Sequence, residues 1–313
     1  RILSTELNTL PLPETNALLE RIKSAPQAAA QPRPKSTLFG RQDEYAWLFK
    51  QWRQVKPEHG RLTLVEGEMG IGKTRLVEEV LQQVSASDAL LLRARCHEFG
   101  QNVPLQPIAD LLRVALGKQG DLLKRIPPVW LPHLAMILPE VAAAQAARSM
   151  DSPSYAHNLN VLHLFEAVHQ AFRALVTAAT PTSSPRLVIF LDDLHWIDST
   201  TVDLMRYVLH QLAHLPVWLV GAYQQAGMDP EHPFLRLRSA LIVEDRASVL
   251  RLEPLPSDAI VDWISSLPNL NLPESERGRL IELILLRGQG NPFITSQILR
   301  DLADAGNGLN GSG

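Results

Sequence analysis

The sequence predicts an α/β fold, in which helices cover both faces of a parallel sheet of about five strands and a small helical lid subdomain follows. Three observations carry this prediction. From residue 38 onward, short apolar segments alternate with amphipathic helical segments, which is the pattern of parallel strands joined by crossover helices. A glycine-rich loop separates the first of these strands from its helix. Beyond residue 256 the strand-like segments stop and leucine-rich helical patterns follow.

Hydrophobic periodicity predicts the elements in order. The strands are predicted at 61–66, 89–95, 187–192, 217–222 and 248–252. The helices of the main domain are predicted at 44–54, 73–84, 105–116, 157–178 and 200–214. The lid helices are predicted at 257–266, 274–287 and 293–304. The proline- and leucine-rich stretch 104–154 fits a helical insert packed on the sheet, and a role facing a substrate or partner is the alternative.

These elements divide the chain into five parts. An amphipathic pattern predicts a helix within residues 1–24, and the prolines of residues 25–37 predict a linker. The other parts are the α/β core at 38–256, the lid subdomain at 257–305 and a flexible tail at 306–313. Because the chain begins with Arg1 and ends in a glycine-rich run, we expect an excised piece of a longer protein.

Residues 67–74 form the pattern G-x-x-x-x-G-K-T between a predicted strand and a predicted helix. Such a loop turns backbone N–H groups inward around phosphate oxygens, and the helix that follows points its positive end at the same anion. Lys73 can reach the β- and γ-phosphates, and the Thr74 hydroxyl can hold Mg²⁺. The alternative, a glycine-rich turn that matches by chance, does not explain the flanking strand and helix. The predicted nucleotide contacts of this loop are Gly67, Met69, Gly70, Ile71, Gly72, Lys73, Thr74 and Arg75.

A second motif is the apolar segment 187–191, which ends in Asp192 and Asp193. An apolar strand followed by Asp is typical of a Walker B strand, so we expect Asp192 to hold Mg²⁺ through water. Asp193 stands where many ATPases have a glutamate that orients the attacking water, although it is one methylene shorter. We therefore assign catalytic roles to Asp193 and Lys73. The alternative is that both acids cap the following helix.

The two motifs are far apart in the chain, and the predicted strand 89–95 lies between them. The Walker B strand is therefore not the next strand after the phosphate loop. This spacing predicts that another strand of the sheet lies between the two motif strands in space, as in the additional-strand class of P-loop ATPases.

Residues 191–198, with the sequence LDDLHWID, resemble the signature of the STAND branch of AAA-type ATPases. Three further segments agree with that family in order and spacing: Phe39–Glu44, Arg93–Pro107 and Gly290–Phe293. The resemblance covers about residues 36–304. It implies that Phe39, Gly40 and Arg41 lie against the adenine of ATP or ADP and that Pro292 approaches the base. The choice of adenine over guanine rests on this resemblance.

The sequence departs from the family after the fourth strand, where the family usually has an arginine that senses the γ-phosphate. Gln224 occupies this position. A glutamine can donate hydrogen bonds but cannot neutralise the negative charge that develops during hydrolysis. The departure favours slow hydrolysis and long retention of the nucleotide. His195 and Trp196 are assigned to packing of the turn behind the acids.

Residues 7–22 are similar to the closing helix of the bacterial transcriptional activator domain, which precedes such an ATPase in SARP-type regulators. An ordinary surface helix is the alternative. The resemblance implies a parent protein, of the SARP or LuxR type, with an upstream DNA-binding domain and downstream sensor domains.

Composition restricts the class of protein. The net charge of −3 gives no support for a nucleic-acid-binding surface, so we expect no direct nucleic-acid contact by this chain. The one cysteine, Cys96, excludes an internal disulfide and is expected to be a buried small hydrophobe. No apolar run has the length of a membrane span and no signal peptide is visible, so we expect a cytoplasmic protein.

Together these observations predict a signal-transduction ATPase that acts as a nucleotide-dependent switch in a bacterial transcriptional regulator. Nucleotide-dependent self-association is a further possibility for its partners. Two alternatives remain: a rapidly cycling remodelling or loader ATPase, and a scaffold that binds nucleotide without hydrolysis. Steady-state turnover separates the three.

Overall fold

The computed structural model describes residues 38–55, 60–85, 89–98, 103–146, 161–176, 186–212, 215–267 and 274–309. All features below belong to the compact unit Phe39–Gly313. The helix and linker expected within residues 1–37, including the segment similar to an activator domain, lie outside the described residues. The end of the expected tail, from residue 310, lies outside them as well.

The described residues form a sheet of five parallel strands, which confirms the predicted fold class. The strands are β1 (Arg61–Glu66), β2 (Ala89–Arg95), β3 (Arg186–Asp192), β4 (Val217–Tyr223) and β5 (Ala247–Arg251). Their order across the sheet is β2-β3-β4-β1-β5. Strand β4 therefore separates β1 from β3, and the predicted intervening strand is confirmed.

Helices connect the strands and cover both faces of the sheet. The helices before β4 are α1 (Gln42–Arg53), α2 (Lys73–Ser85), α3 (Gln106–Lys118), α4 (Leu122–Arg125), α5 (Leu131–Leu134), α6 (Pro139–Ala146), α7 (Val161–Val176) and α8 (Ser199–Leu212). The later helices are α9 (Pro233–Val243), α10 (Ser257–Ser265), α11 (Glu274–Gly288) and α12 (Pro292–Leu309). Two 3-10 turns are present at Pro128–Trp130 and Leu194–Trp196.

The predicted strands agree with the observed ones to within one residue at each end. The helices expected in the stretch 104–154 are present as α3 to α6, and α3 packs against β2. Helix α9 was not among the predicted elements. Its buried residues Phe234, Leu237 and Leu241 recur at helical spacing, but the alternation Leu-Arg-Leu-Arg within it resembles a strand pattern.

The main core lies between the sheet and its helices. Every residue of β4 is buried, as expected for an inner strand covered on both faces. Trp218 in this strand is fully buried, and its indole N–H donates to the Thr63 hydroxyl at 2.9 Å. A second, smaller core is formed by Leu255, which precedes the lid, and by Ile260, Ile264, Leu280 and Ile284 within it. Among the described residues, no helix is both long enough and apolar enough to cross a bilayer.

Candidate nucleotide-binding site

The loop between β1 and α2 needs its glycines for two different reasons. Gly70 and Gly72 have φ angles of +80° and +100°, a backbone conformation that side chains disfavour. Gly67 is required by space, because a Cβ atom there would lie 2.8 Å from Ile71 Cγ2 and 3.2 Å from the carbonyl oxygen of Leu252. The sequence motif therefore forms a tight loop.

Lys73 lies inside this loop. Its ammonium donates hydrogen bonds to the carbonyl oxygens of Gly67 at 2.9 Å and Glu68 at 2.8 Å. Burial lowers the pKa of Lys73, and the charges of Asp193 and Asp192 act in the opposite direction. The ammonium is thus held within the curve of the loop and close to both acids that follow β3.

The two residues predicted to hold a metal ion are in direct contact. The Thr74 hydroxyl lies 3.1 Å from Asp192 Oδ1 and 3.0 Å from Asp192 Oδ2. Asp192 is buried and also accepts from the backbone N–H of Asp193 at 3.0 Å. Burial raises the pKa of the Asp192 carboxyl, and the charge of Asp193 adds to this effect. A hydroxyl and a carboxylate placed together are hard oxygen donors, which fit Mg²⁺.

Asp193, the predicted catalytic acid, is bound by an arginine that the sequence analysis did not identify. The Arg95 guanidinium contacts Asp193 Oδ2 at 2.6 Å. The β2–β3 register places Arg95 beside Asp192, so its side chain reaches the following residue. Asp193 also has a left-handed backbone, with φ of 55°. No local pattern signals this contact, because it depends on the register of two strands far apart in the chain.

The acids after β3 do not cap the following helix. Asp198 does so, because Asp198 Oδ1 accepts from the backbone N–H of Thr201 at 2.8 Å. Between them, the turn 194–196 packs as predicted: Leu194 is fully buried and Trp196 contacts the main core. The rings of His195 and Trp196 are 5.0 Å apart, and burial lowers the pKa of His195.

A second charged cluster stands at the ends of β4, β1 and β5. Glu66 Oε2 accepts from the Tyr223 hydroxyl at 2.6 Å and from Arg238 Nη2 at 2.9 Å. Glu66 Oε1 accepts from Arg251 Nη2 at 2.7 Å and from Arg251 Nε at 3.2 Å. Burial alone would raise the pKa of the Glu66 carboxyl, but the hydrogen bonds and the two positive charges outweigh it and lower the pKa. The sequence analysis identified none of these four residues.

Gln224 directly follows β4 and donates to the carbonyl oxygen of Ala226 at 3.3 Å. With Gly67, Glu68 and Arg251, it lines a cavity of about 250 Å³. The residue that replaces the family arginine therefore lies near the beginning of the phosphate loop.

The segment 39–41 connects the loop with the lid. The Arg41 guanidinium is buried and donates to the carbonyl oxygens of Glu253 at 2.6 Å and Ile71 at 3.4 Å. The Phe39 ring stacks on Trp263 of α10, with centroids 6.3 Å apart. Arg41 is thus bonded both to the phosphate loop and to the segment that leads into the lid.

Gly40 and Ile71 are enclosed, and Arg75 is not. A Cβ atom at Gly40 would lie 2.5 Å from the Cβ of Ala259 in the lid, and Ile71 is 2% exposed. The Arg75 side chain is exposed on the first turn of α2.

Cys96 is buried as predicted, and burial raises the pKa of its thiol to about 12.

The lid contacts the tip of the phosphate loop directly. Asn291 Nδ2 donates to the carbonyl oxygen of Met69 at 2.9 Å, and the backbone N–H of Phe293 donates to that of Gly70 at 3.2 Å. Asn291 Oδ1 also accepts from the Phe293 N–H at 3.0 Å, so the same side chain caps α12. Pro292, the predicted base contact, is the first residue of that helix. The structure thus brings a segment from the end of the chain onto the loop.

Comparison with known proteins agrees with this architecture. The profile of the family described as "AAA ATPase domain" matches residues 37–220. An uncharacterized protein of Rhizobium meliloti (strain 1021) is 25% identical over an alignment of 210 residues that covers 63% of this chain. The matched region spans 20% of that relative's length. The order of the strands, the phosphate loop and the acids after β3 agree with the profile match. The chain therefore belongs to the AAA ATPase domain family, a family of nucleotide-binding ATPases.

Proposed function

We propose that this domain binds ATP and ADP with Mg²⁺ and works as a nucleotide-dependent switch of the STAND type, with slow hydrolysis. Its parent is a bacterial transcriptional regulator in the cytoplasm, with a DNA-binding domain upstream and sensor domains downstream. The α/β core at 38–256 carries the phosphate site, and the lid at 257–305 moves relative to it. The observation that carries the proposal is the pair of hydrogen bonds from Asn291 and Phe293 to the loop.

Each predicted site residue has a role in this proposal. The loop amides and Lys73 hold the phosphates, and Thr74 and Asp192 hold the Mg²⁺ that the nucleotide brings. Asp193 orients the attacking water when Arg95 releases it. The adenine lies among Phe39, Gly40, Arg41 and Pro292. The other contacts to the nucleotide come from Gly67, Met69, Gly70, Ile71, Gly72, Arg75 and Gln224.

The contacts between lid and loop explain how the nucleotide could bias the lid. In a phosphate loop the amides turn toward the phosphate, and the orientation of each amide fixes the carbonyl of the same peptide plane. The carbonyls of Met69 and Gly70 are the acceptors for the lid. A phosphate that reorients these peptides therefore changes the hydrogen bonds between the loop and the docked lid. A population shift between two lid positions requires such a difference in contacts.

Two observations favour slow hydrolysis over rapid cycling. Asp193 is engaged by Arg95 at 2.6 Å, and the residue after β4 is the uncharged Gln224. Steady-state turnover distinguishes the proposal from its alternatives, because a remodelling ATPase turns over rapidly and a scaffold does not turn over at all.

The variant Asn291→Asp tests the lid contact. It keeps the Oδ acceptor that caps α12 and removes the N–H donor to Met69, so the helix persists while the lid loses its bond to the loop. Because one hydrogen bond is lost and a carboxylate faces a carbonyl, we expect release of fluorescent ADP to accelerate about tenfold.

The matched control is Gln297→Glu, the same change of amide to acid at an exposed position of α12. It should leave the release rate unchanged. If the Asn291→Asp chain releases ADP at the wild-type rate, the lid is not part of the switch.

A further inference from the structure

The cavity at the ends of β4, β1 and β5 connects the phosphate loop with a guanidinium. Gly67 and Glu68 of the loop, Gln224 after β4 and Arg251 at the end of β5 all line it. The Lys73 ammonium binds the carbonyl oxygens of the same Gly67 and Glu68. Arg251 and Lys73 therefore both lie near the residues that begin the loop.

Arg251 is the most exposed of the groups that bind Glu66. Tyr223 is fully buried and the Arg238 side chain is 19% exposed, and both donate to Glu66 Oε2. The Arg251 side chain is 64% exposed and donates to the other oxygen, Oε1. If Arg251 turned away, Oε2 would keep both donors and Oε1 would face the cavity. The buried carboxylate therefore stays compensated without Arg251.

The cavity needs a cation if it is to receive a phosphate. Glu66, Glu68 and Glu253 line it together with Arg251, and Gln224 contributes no charge. The guanidinium is the group best suited to this place, because its planar fork binds phosphate oxygens by two parallel hydrogen bonds.

On the basis of the nucleotide binding proposed above, we propose that Arg251 moves from Glu66 to the terminal phosphate of a bound nucleoside triphosphate. It supplies, from the end of β5, the positive charge that the residue after β4 lacks. A diphosphate does not reach this group. Arg251 thereby makes the domain distinguish the triphosphate from the diphosphate, which is the distinction a switch needs.

The test is a calorimetric titration of Arg251→Gln with Mg²⁺ and either ADP or a β,γ-imido analogue of ATP. Because a charge-assisted contact is lost only with the triphosphate, we expect affinity for the analogue to fall about 10- to 100-fold. Affinity for ADP should stay within about twofold, which also shows that the variant is folded. Arg251→Lys keeps the charge but not the fork, and its affinity for the analogue should be intermediate.

Arg236→Gln is the matched control, since the Arg236 side chain is also 64% exposed and pairs with the surface residue Glu231. It should bind both nucleotides as the wild type does. Equal loss of both nucleotides in Arg251→Gln, or loss of neither, overturns the inference while nucleotide binding by the wild type stands. A wild-type chain that binds neither nucleotide overturns the proposed function, and this inference with it.

Discussion

Two buried carboxylates at the same edge of the sheet have opposite environments. Asp192, after β3, accepts hydrogen bonds from a hydroxyl and a backbone amide, and burial together with Asp193 raises its pKa. Glu66, at the end of β1, accepts from a tyrosine and two arginines, and its pKa is lowered despite burial. Burial alone therefore does not decide the cost of a carboxylate; the hydrogen bonds and charges around it contribute as well. Glu66 is compensated by the protein, whereas the proposed function assigns to Asp192 a cation from outside.

The largest effect that this comparison predicts is on stability. In Glu66→Gln the partly buried Arg238 loses its carboxylate, and we expect the free energy of unfolding in urea to fall by about 2–4 kcal/mol. Glu140→Gln is the control: its ion pair with Arg113 is exposed on both sides and should contribute less than about 1 kcal/mol. Equal free energies of unfolding in wild type and Glu66→Gln would show that the ion pair between Glu66 and Arg238 does not stabilise the fold.

The same variant should change the dependence of stability on pH. The folded-state pKa of Glu66 is lowered, so its contribution is present above the pKa of the unfolded carboxyl and is lost as the pH falls through the folded-state value. The difference between wild type and variant should therefore shrink in acid.

The next effect concerns Lys73, whose ammonium interacts with the charge of Asp192. Lys73→Ala removes the ammonium that contacts Gly67 and Glu68, and with it the charge-assisted bond to phosphate that we propose. We expect nucleotide affinity measured by calorimetry to fall about 10- to 100-fold while the fold persists. Lys124→Ala, at a surface pair with Asp121, serves as the control. Unchanged affinity in Lys73→Ala would mean that the loop does not hold the phosphates.

The smallest effect that we predict is a change in Tm, and we expect Tm to rise. The raised pKa of Asp192 means that its ionised form costs stability at neutral pH, and the cost grows as the pH rises through the unfolded and then the folded value. Asp192→Asn keeps an acceptor for Thr74 and removes the charge, so Tm without metal or nucleotide should rise. Added Mg²⁺ should no longer strengthen nucleotide binding. A lower Tm in the variant would show that Asp192 is compensated within the protein after all.

The sequence predicted the parts of this site that local patterns encode. The phosphate loop and the strand ending in Asp192 are continuous segments, and parallel strands bring such ends to one edge. The partners of Glu66 come from β4, α9 and β5, at separations of 157, 172 and 185 positions. No periodicity reports such contacts, because they depend on strand order and register. The pairing of Arg95 with Asp193 escaped prediction for the same reason.

Gly70 illustrates how a distant segment restricts a motif. The phosphate-loop pattern leaves this position open to any residue. Here a Cβ atom at Gly70 would lie 2.7 Å from the Cβ of Phe293 and 2.8 Å from Asn291 Oδ1. The lid thus occupies the volume that a side chain would need, although Met69 and Asn291 are 222 positions apart in the chain. The phosphate loop and the lid therefore restrict which side chains fit at their contact, and a larger residue at position 70 would displace the lid.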